Sequence, residues 1–303
     1  MKLSVILPCY NGERTIAIQL EALAHQTYRG DWEVIVVNNG STDQSMAIVA
    51  AYRDRLPHLK IVEAYTPPGP RLPVAHSYNM GIQAATGDAF VFCEADDEVS
   101  PQWLAAMATA LESHAFVAGA LRYDGLNPAW LVVAQEEWHQ EHGLVDADSP
   151  LGGFAYGCNI GIQRSLYTAL GPLDTSIPTA ADKDYCWRAH QAGIDIYFEP
   201  TAIVQYRLRH TLQSAYRQGK TWGRDQPLVY ARYRIPLEQP IVLYRMVSLL
   251  GYLPTGLKLA LMSLLNVGRG KGGFVRWVWG LGFLIGEIQG FFIHPHLQFE
   301  PKS

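Results

Sequence analysis

Along the first 110 positions, short apolar runs alternate with polar turns and then with residues at helical spacing. Residues 4–7 form a β-prone run stopped by Pro8. Asn11-Gly12 turns the chain, and residues 13–26 predict a helix with Ile16, Leu20 and Leu23 on one face. Residues 33–37 are a second strand ending in a polar stretch, 38–43, where Ser41 or Asp43 can cap a helix running towards Arg53. A third strand at 60–64 leads into a Pro-rich loop at 66–73 and a helix over 74–85. The turn Thr86-Gly87-Asp88 introduces 89–93, an uncharged run that predicts a buried, parallel strand. Ser100 and Pro101 supply the N-cap and first position of the next helix. Four such units predict an α/β fold, a mostly parallel sheet wound with helices. All their strand ends then share one sheet edge, where open α/β sheets bind ligands.

Beyond this, 115–123 reads as another strand, and 127–150, rich in Trp, Glu and His, as an irregular inserted loop over the strand ends. Small and apolar residues return at 154–162, followed by a turn at 170–174. In 179–193, Tyr185 and Trp187 lie among helix formers, with Asp182 and Asp184 at the amino end, where carboxylates suit the helix dipole. Residues 240–265 and 274–293 are apolar, interrupted by Arg245, Pro254 and Lys258 and by Arg276 and Glu287. Neither is a clean spanning segment of about 20 apolar residues. Amphipathic helices in the headgroup layer are one reading, and packing against the α/β part or a second copy is the other.

Charge narrows the field. A net charge of −4 and a pI near 6.2 leave no basic footprint for nucleic acid. The distribution is uneven, with basic residues dominating 207–271 and acids concentrated at 94–98 and 135–148. A basic C-terminal third beside apolar runs predicts a surface for anionic lipid or phosphate. Cys9, Cys93, Cys158 and Cys186 lack CxxC spacing and suit reduced, buried thiols of a cytosolic compartment. About five apolar residues precede Pro8, too few for a signal-peptide core. No GxGxxG follows the first strand and no GxxxxGK[ST] occurs, so neither a dinucleotide site nor a P-loop is supported.

The chemistry concentrates at 94–98, four carboxylates in five residues at the end of a buried strand. Such crowding favours a cation, with a solvated acidic turn as the lesser reading when taken alone. Asp182 and Asp184, alone, read as helix-capping acids.

Together these stretches resemble the family 2 glycosyltransferases, inverting enzymes of the GT-A fold that use nucleotide-sugar donors. The resemblance runs over about residues 3–210, through SVILPCYNGE, VIVVNNGSTD, AHSYNMGIQAATGDAFVFCEADD, YGCNIGIQRSLYTALGPLD and DKDYCWRAHQAGIDIYFEPTAIVQYRLR. It implies a DxD-type motif at Glu94-Ala95-Asp96 holding Mg²⁺ or Mn²⁺ on the donor diphosphate, with Gln205 standing where relatives have a metal-binding His. It implies donor contacts at Pro8, Tyr10, Asn11, Glu13 and Asn39, with Asn79 near the ribose and phosphates. Asp182 takes the place of the general base, with Asp184 and Arg188 as acceptor contacts or supports. Several positions depart from the family pattern. Glu94 replaces an Asp, Asn39 replaces an Asp that accepts from the base, and Tyr78 replaces a commonly basic residue. Ala181 replaces an acid beside the base, which predicts that Asp182 ionises readily. His210 is a candidate stand-in for the missing His, though a lone His beside Arg207 and Arg209 is more often a surface residue.

The expectation is a GT-A domain over 1–210 and a helical extension over 211–303, on the cytoplasmic side and in peripheral contact with membrane. The acceptor is expected to be a carbohydrate or a lipid-linked hydroxyl. The departures motivate a second reading, a non-catalytic nucleotide-sugar binder or an inactive partner of an active transferase. A nucleotidyltransferase would need a Gly-rich basic loop near the N-terminus, which the sequence lacks.

Overall fold

The computed structural model describes residues 1–65, 71–133, 140–237 and 240–299. Most of the Pro-rich loop (66–70) and the acidic stretch 135–139 lie outside the described residues. The elements of the first half are β1 (Leu3–Cys9), α1 (Ile16–Ala24), β2 (Trp32–Asn38), α2 (Ser45–Ala50), β3 (Lys60–Glu63), α3 (Val74–Ala84) and β4 (Ala89–Phe92). They follow the βα rhythm of the sequence. Next come β5 (Glu98–Val99), α4 (Trp103–Ser113), β6 (Phe116–Arg122), α5 (Ala129–Val132), β7 (Ile160–Gln163), α6 (Arg164–Leu170), α7 (Ala181–Gln191) and β8 (Ile196–Gln205). Three long helices complete the chain: α8 (Leu212–Arg232), α9 (Ile241–Leu264) and α10 (Gly270–Ile293).

The strands form one sheet in the order β3-β2-β1-β4-β7-β6-β8-β5. β3, β2, β1 and β4 are mutually parallel, β7 opposes both β4 and β6, and β6 runs parallel to β8. β1 is buried at every residue, which accounts for its unbroken apolar run. Its Pro8 lies past Ile6, the last residue that β4 pairs, so a missing N–H is tolerated at the strand end.

Two details at the acidic strand end differ from expectation. Glu98 and Val99 are not loop but a short strand on β8, paired with Gln205 and Val204. Ser100 does not cap α4 through its side chain. Its carbonyl accepts from Trp103 N at 3.0 Å, while its buried hydroxyl has no partner. The inserted strand pair turns Ser100 inward before the helix begins.

The chain forms two compact units, Met1–Leu126 with Trp138–Arg207, and Asn127–Glu137 with Leu208–Ser303. In the first, Phe90, Phe92, Phe116, Ile160, Ile162, Tyr78 and Tyr185 belong to one buried core. Asn159 is a fully buried hub. Its Oδ1 accepts from Trp103 Nε1 at 2.8 Å, and its Nδ2 donates to the carbonyls of Ala120 and Ala202 at 2.9 Å. That satisfies a polar side chain whose burial would otherwise be costly. The four cysteines are free and buried.

In the second unit α8 is an element the hydrophobic pattern did not predict, and α9 runs on through Pro254. α8 and α10 meet at glycines. A Cβ on Gly219, Gly223, Gly282, Gly286 or Gly290 would strike backbone carbonyls of the facing helix. Buried Glu287 on α10 accepts from Tyr230 Oη at 2.8 Å and pairs with Arg245 at 2.7 Å, tying three helices together.

Candidate active site

The ends of β1 and β2 are stitched to each other. Asn11, at φ 49°, donates its backbone N–H to Ser41 Oγ at 3.1 Å and accepts from Thr42 N at 2.8 Å through Oδ1. Glu13 N–H donates to Asp43 Oδ2 at 3.0 Å, and its own carboxylate accepts from Gln44 N at 3.2 Å. Asp43, not Ser41, closes the start of α2 by accepting from Ser45 N at 3.0 Å. The side chains of Asn11 and Glu13 thus hold the two loops in register. Tyr10 stays 40% exposed, with the Arg71 guanidinium 4.4 Å from its ring centroid. Asn39 is 2% exposed. Its Nδ2 donates to the Leu72 carbonyl at 2.9 Å, which leaves Oδ1 as a buried acceptor without a partner.

At the end of β4, Glu94 Oε1 accepts from the Tyr78 hydroxyl at 2.6 Å, and the Gly157 carbonyl lies 3.2 Å from the same hydroxyl oxygen. The Tyr78 ring stacks on Phe92 at 4.6 Å, so α3 delivers the hydroxyl from a fixed platform. Burial, then the charge of Glu94, push the Tyr78 phenol well above its usual range, which keeps it protonated as a donor. Asp96 is half-buried, and its backbone carbonyl accepts from Arg207 Nε at 2.7 Å. Asp97 is 1% exposed and accepts from Arg207 N at 2.8 Å. Arg207, which the sequence offered only as a surface cation, braces the acidic turn, and its buried Nη2 has no hydrogen-bond partner.

Asp182, in the first turn of α7, accepts from Gly157 N at 2.9 Å through Oδ2 and from Lys183 N at 2.8 Å through Oδ1. Burial raises its pKa above the ordinary Asp range, against the opposing pull of those N–H groups and the Lys183 charge. This corrects the expectation of a readily ionised carboxylate: desolvation outweighs the loss of the acidic neighbour. Lys183 lies over the rings of Phe154 (4.2 Å) and Trp187 (5.5 Å), and burial lowers its pKa.

The two acidic sets converge. Burial raises the Cys158 thiol well above its usual range, and Asp97, Glu94, Asp182 and Asp96 all act on it through charge. Gly157 is the joint, its carbonyl towards Tyr78 and its N–H on Asp182.

Other expected site residues are otherwise engaged. Asn79 holds both backbone groups of Leu173, donating to O at 2.8 Å and accepting from N at 3.0 Å, and accepts from Tyr167 Oη at 3.3 Å. It is a clamp on the 171–174 turn. Gln205 Oε1 accepts from Gly125 N at 2.9 Å and braces that loop. Arg188 pairs with Asp184 at 2.9 Å and donates to the carbonyls of Leu170 and Pro172, while Asp184 is 1% exposed. Both act as braces of α7.

Among the described residues no group of three or more His, Cys, Asp and Glu side chains is arranged to hold a metal. Glu94 and Asp96 nonetheless offer the right donor chemistry. Mg²⁺ and Mn²⁺ on phosphates take one or two carboxylate ligands, and phosphate and water oxygens supply the rest. Two acidic side chains at one strand end fit that pattern without a protein cage.

The sequence model described as Glycosyl transferase family 2 matches residues 4–171, more than half of the chain. The chain belongs to glycosyl transferase family 2. EpsE of Bacillus subtilis (strain 168), a glycosyltransferase by name, is 36% identical over 79% of this chain and 86% of its own length. With other relatives the overlap is partial. The chain spans 33% of the length of YibD of Escherichia coli and 22% of that of TarS of Staphylococcus aureus. The fold is shared with the TarS 1–349 crystal structure in complex with UDP-GlcNAc (TM-score 0.56, 23% identity, 76% of this chain and 66% of that one). It is also shared with the mannosyltransferase PcManGT of Pyrobaculum calidifontis in complex with GDP-Man and Mn²⁺ (TM-score 0.62, 18% identity, 94% and 86%). The GT-A-type α/β architecture of the family is therefore the architecture of this chain.

Proposed function

We propose that this family 2 member moves a sugar from a nucleoside-diphosphate donor to an acceptor hydroxyl with inversion, as a step in polysaccharide or cell-envelope synthesis. The observation that carries the reading is the link from Glu94 through Tyr78 and Gly157 to Asp182, which joins the acidic strand end that bears Asp96 to the first turn of α7. Solved relatives bind UDP-GlcNAc and GDP-Man, which supports a nucleotide-sugar donor.

In this reading the base of the donor stacks at Tyr10 beside Pro8, and Asn39 Oδ1 accepts an N–H from it. An unpartnered buried acceptor is costly, so a base that offers an N–H at its pairing edge, such as uracil or guanine, satisfies it. Ala95 lies between Glu94 and Asp96, the two residues that would hold Mg²⁺ or Mn²⁺. When bound, the cation neutralises charge on the departing diphosphate. Asp182 takes the acceptor proton as the acceptor oxygen bonds the anomeric carbon and the bond to the diphosphate breaks. A carboxylate raised towards neutrality by burial is a stronger base than an exposed one. The acceptor is a carbohydrate or a lipid-linked hydroxyl, and peripheral membrane contact on the cytoplasmic face belongs to the same reading.

The test is a thermal-shift screen of nucleotide sugars with and without Mn²⁺, followed by donor hydrolysis and transfer assays on the shifting donor. A Mn²⁺-dependent shift with turnover is the expected result. A shift without turnover in any condition would favour the inactive-partner alternative, and no shift with any nucleotide sugar would overturn the proposal.

A further inference from the structure

Among the described residues α9 is the one helix long and apolar enough to cross a membrane, and only 6% of its apolar window is buried. Leu243, Val247, Leu250, Pro254, Leu257, Leu261 and Leu264 recur at alternating steps of four and three, a stripe along the outer face. Leu250, Leu257 and Leu264 are 66%, 75% and 84% exposed. Stripes of this size are rare on a solvated surface. From the geometry we infer that the outer face of α9 docks in the plane of an anionic membrane, a proposal that deepens the membrane contact of the preceding reading.

Three observations select that occupant. First, the exposed arc is wider than a two-helix seam: Tyr244, Met246 and Leu253 broaden it and carry no charge. A self-associating helix would place charged pairs at those flanks, and it would not carry a proline in the seam. Second, α9 contains no acid. Its Arg245 turns inward to Glu287, and its other charge, Lys258, is exposed. Between residues 207 and 271 the sequence carries eleven Lys and Arg against two Asp and Glu. That balance complements acidic headgroups. Third, the inner face of α9 is occupied. Trp277 of α10 donates from Nε1 to the Tyr252 carbonyl at 3.0 Å and stacks on the Tyr252 ring at 5.5 Å.

The packing also fixes the orientation. α10 lies against α8, whose middle carries Arg217, Lys220, Arg224 and Asp225. A bundle with those charges does not enter hydrocarbon, so α9 lies along the interface with its stripe in the acyl boundary.

The experiment sediments the full-length protein with vesicles of phosphatidylcholine alone and with vesicles in which part of it is replaced by phosphatidylglycerol. Wild type is expected to partition onto the anionic vesicles. Leu250→Glu with Leu257→Glu should weaken partitioning at least about tenfold, because two largely exposed leucines no longer enter the acyl layer. Lys258→Glu should reduce the preference for anionic over neutral vesicles. All variants should keep the unfolding temperature of wild type, since the changed side chains are exposed. Spin labels at positions 243 and 264 should report equal, shallow depth, with position 257 no deeper. A deep centre and shallow ends would overturn the in-plane orientation. Absence of wild-type binding, or unchanged binding of the double variant, would overturn the docking. So would a wild-type dimer that the double variant dissolves without any vesicle binding. Vesicle binding is read without donor, so failure of the transferase reading leaves this result standing on its own.

Discussion

The Tyr78 hydroxyl donates to Glu94 Oε1 at 2.6 Å, joining two positions that the resemblance marks as departures from the family pattern. Glu94 is one methylene longer than the usual Asp, and Tyr78 replaces a commonly basic residue. The longer carboxylate reaches a neutral donor that the Phe92 stack holds in place.

Tyr78→Phe should therefore leave the fold nearly intact, because the ring stack survives, but free the Glu94 carboxylate to turn. A hydrogen bond to a charged group is worth about 1.5–3 kcal/mol. We expect stability to fall by no more than that, and Mn²⁺ affinity with bound nucleoside diphosphate to weaken about tenfold. Titration calorimetry checks it, and unchanged Mn²⁺ affinity would count against the positioning role. Asp96→Ala should abolish Mn²⁺-dependent donor binding outright.

Asp182→Asn should slow transfer by at least about 100-fold with near-normal donor binding. The pH dependence follows from burial. The folded-state pKa of Asp182 is raised. Its contribution to stability is therefore full below the unfolded pKa and is lost as pH rises through the folded one. Asn removes the desolvated charge but can accept from only one of the Gly157 and Lys183 N–H groups, so the two effects oppose and the variant should melt close to wild type. In wild type, kcat should fall on acidification through a pKa above the usual Asp range. A pH–rate profile and a melt of the variant decide both points.

Asp184→Asn should behave differently. Asp184 is 1% exposed and held by Arg188, and breaking a buried pair costs about 3–5 kcal/mol. We expect a large drop in unfolding temperature, with the remaining folded protein still binding donor. Selective loss of transfer without loss of stability would instead move the base to Asp184.

Asn79→Ala should cost about 1–3 kcal/mol through the freed backbone groups of Leu173, with the donor KM nearly unchanged. Urea unfolding beside steady-state kinetics separates this from a donor-contacting role, which would raise KM at constant stability.

The sequence by itself determined the βα rhythm, since buried parallel strands must be continuous apolar runs and their turns must carry Gly, Asn and Asp. It determined the position of the acidic strand end and of Asp182 for the same reason: short-range chemistry follows chain order. It also marked α9 as apolar, though not which face remains uncovered. Tertiary structure decided everything that depends on a distant partner. The reversal of β7 is set by pairing with β4 and β6, not by residues 160–163 alone. Asn79, Gln205 and Arg188 carry side chains equally suited to ligand or brace, and only the proximity of Leu173, Gly125 and Asp184 made them braces. The ionisation of Asp182 was misjudged because its neighbour in sequence, Ala181, was visible, while its desolvation and the Gly157 N–H come from elements brought together by folding.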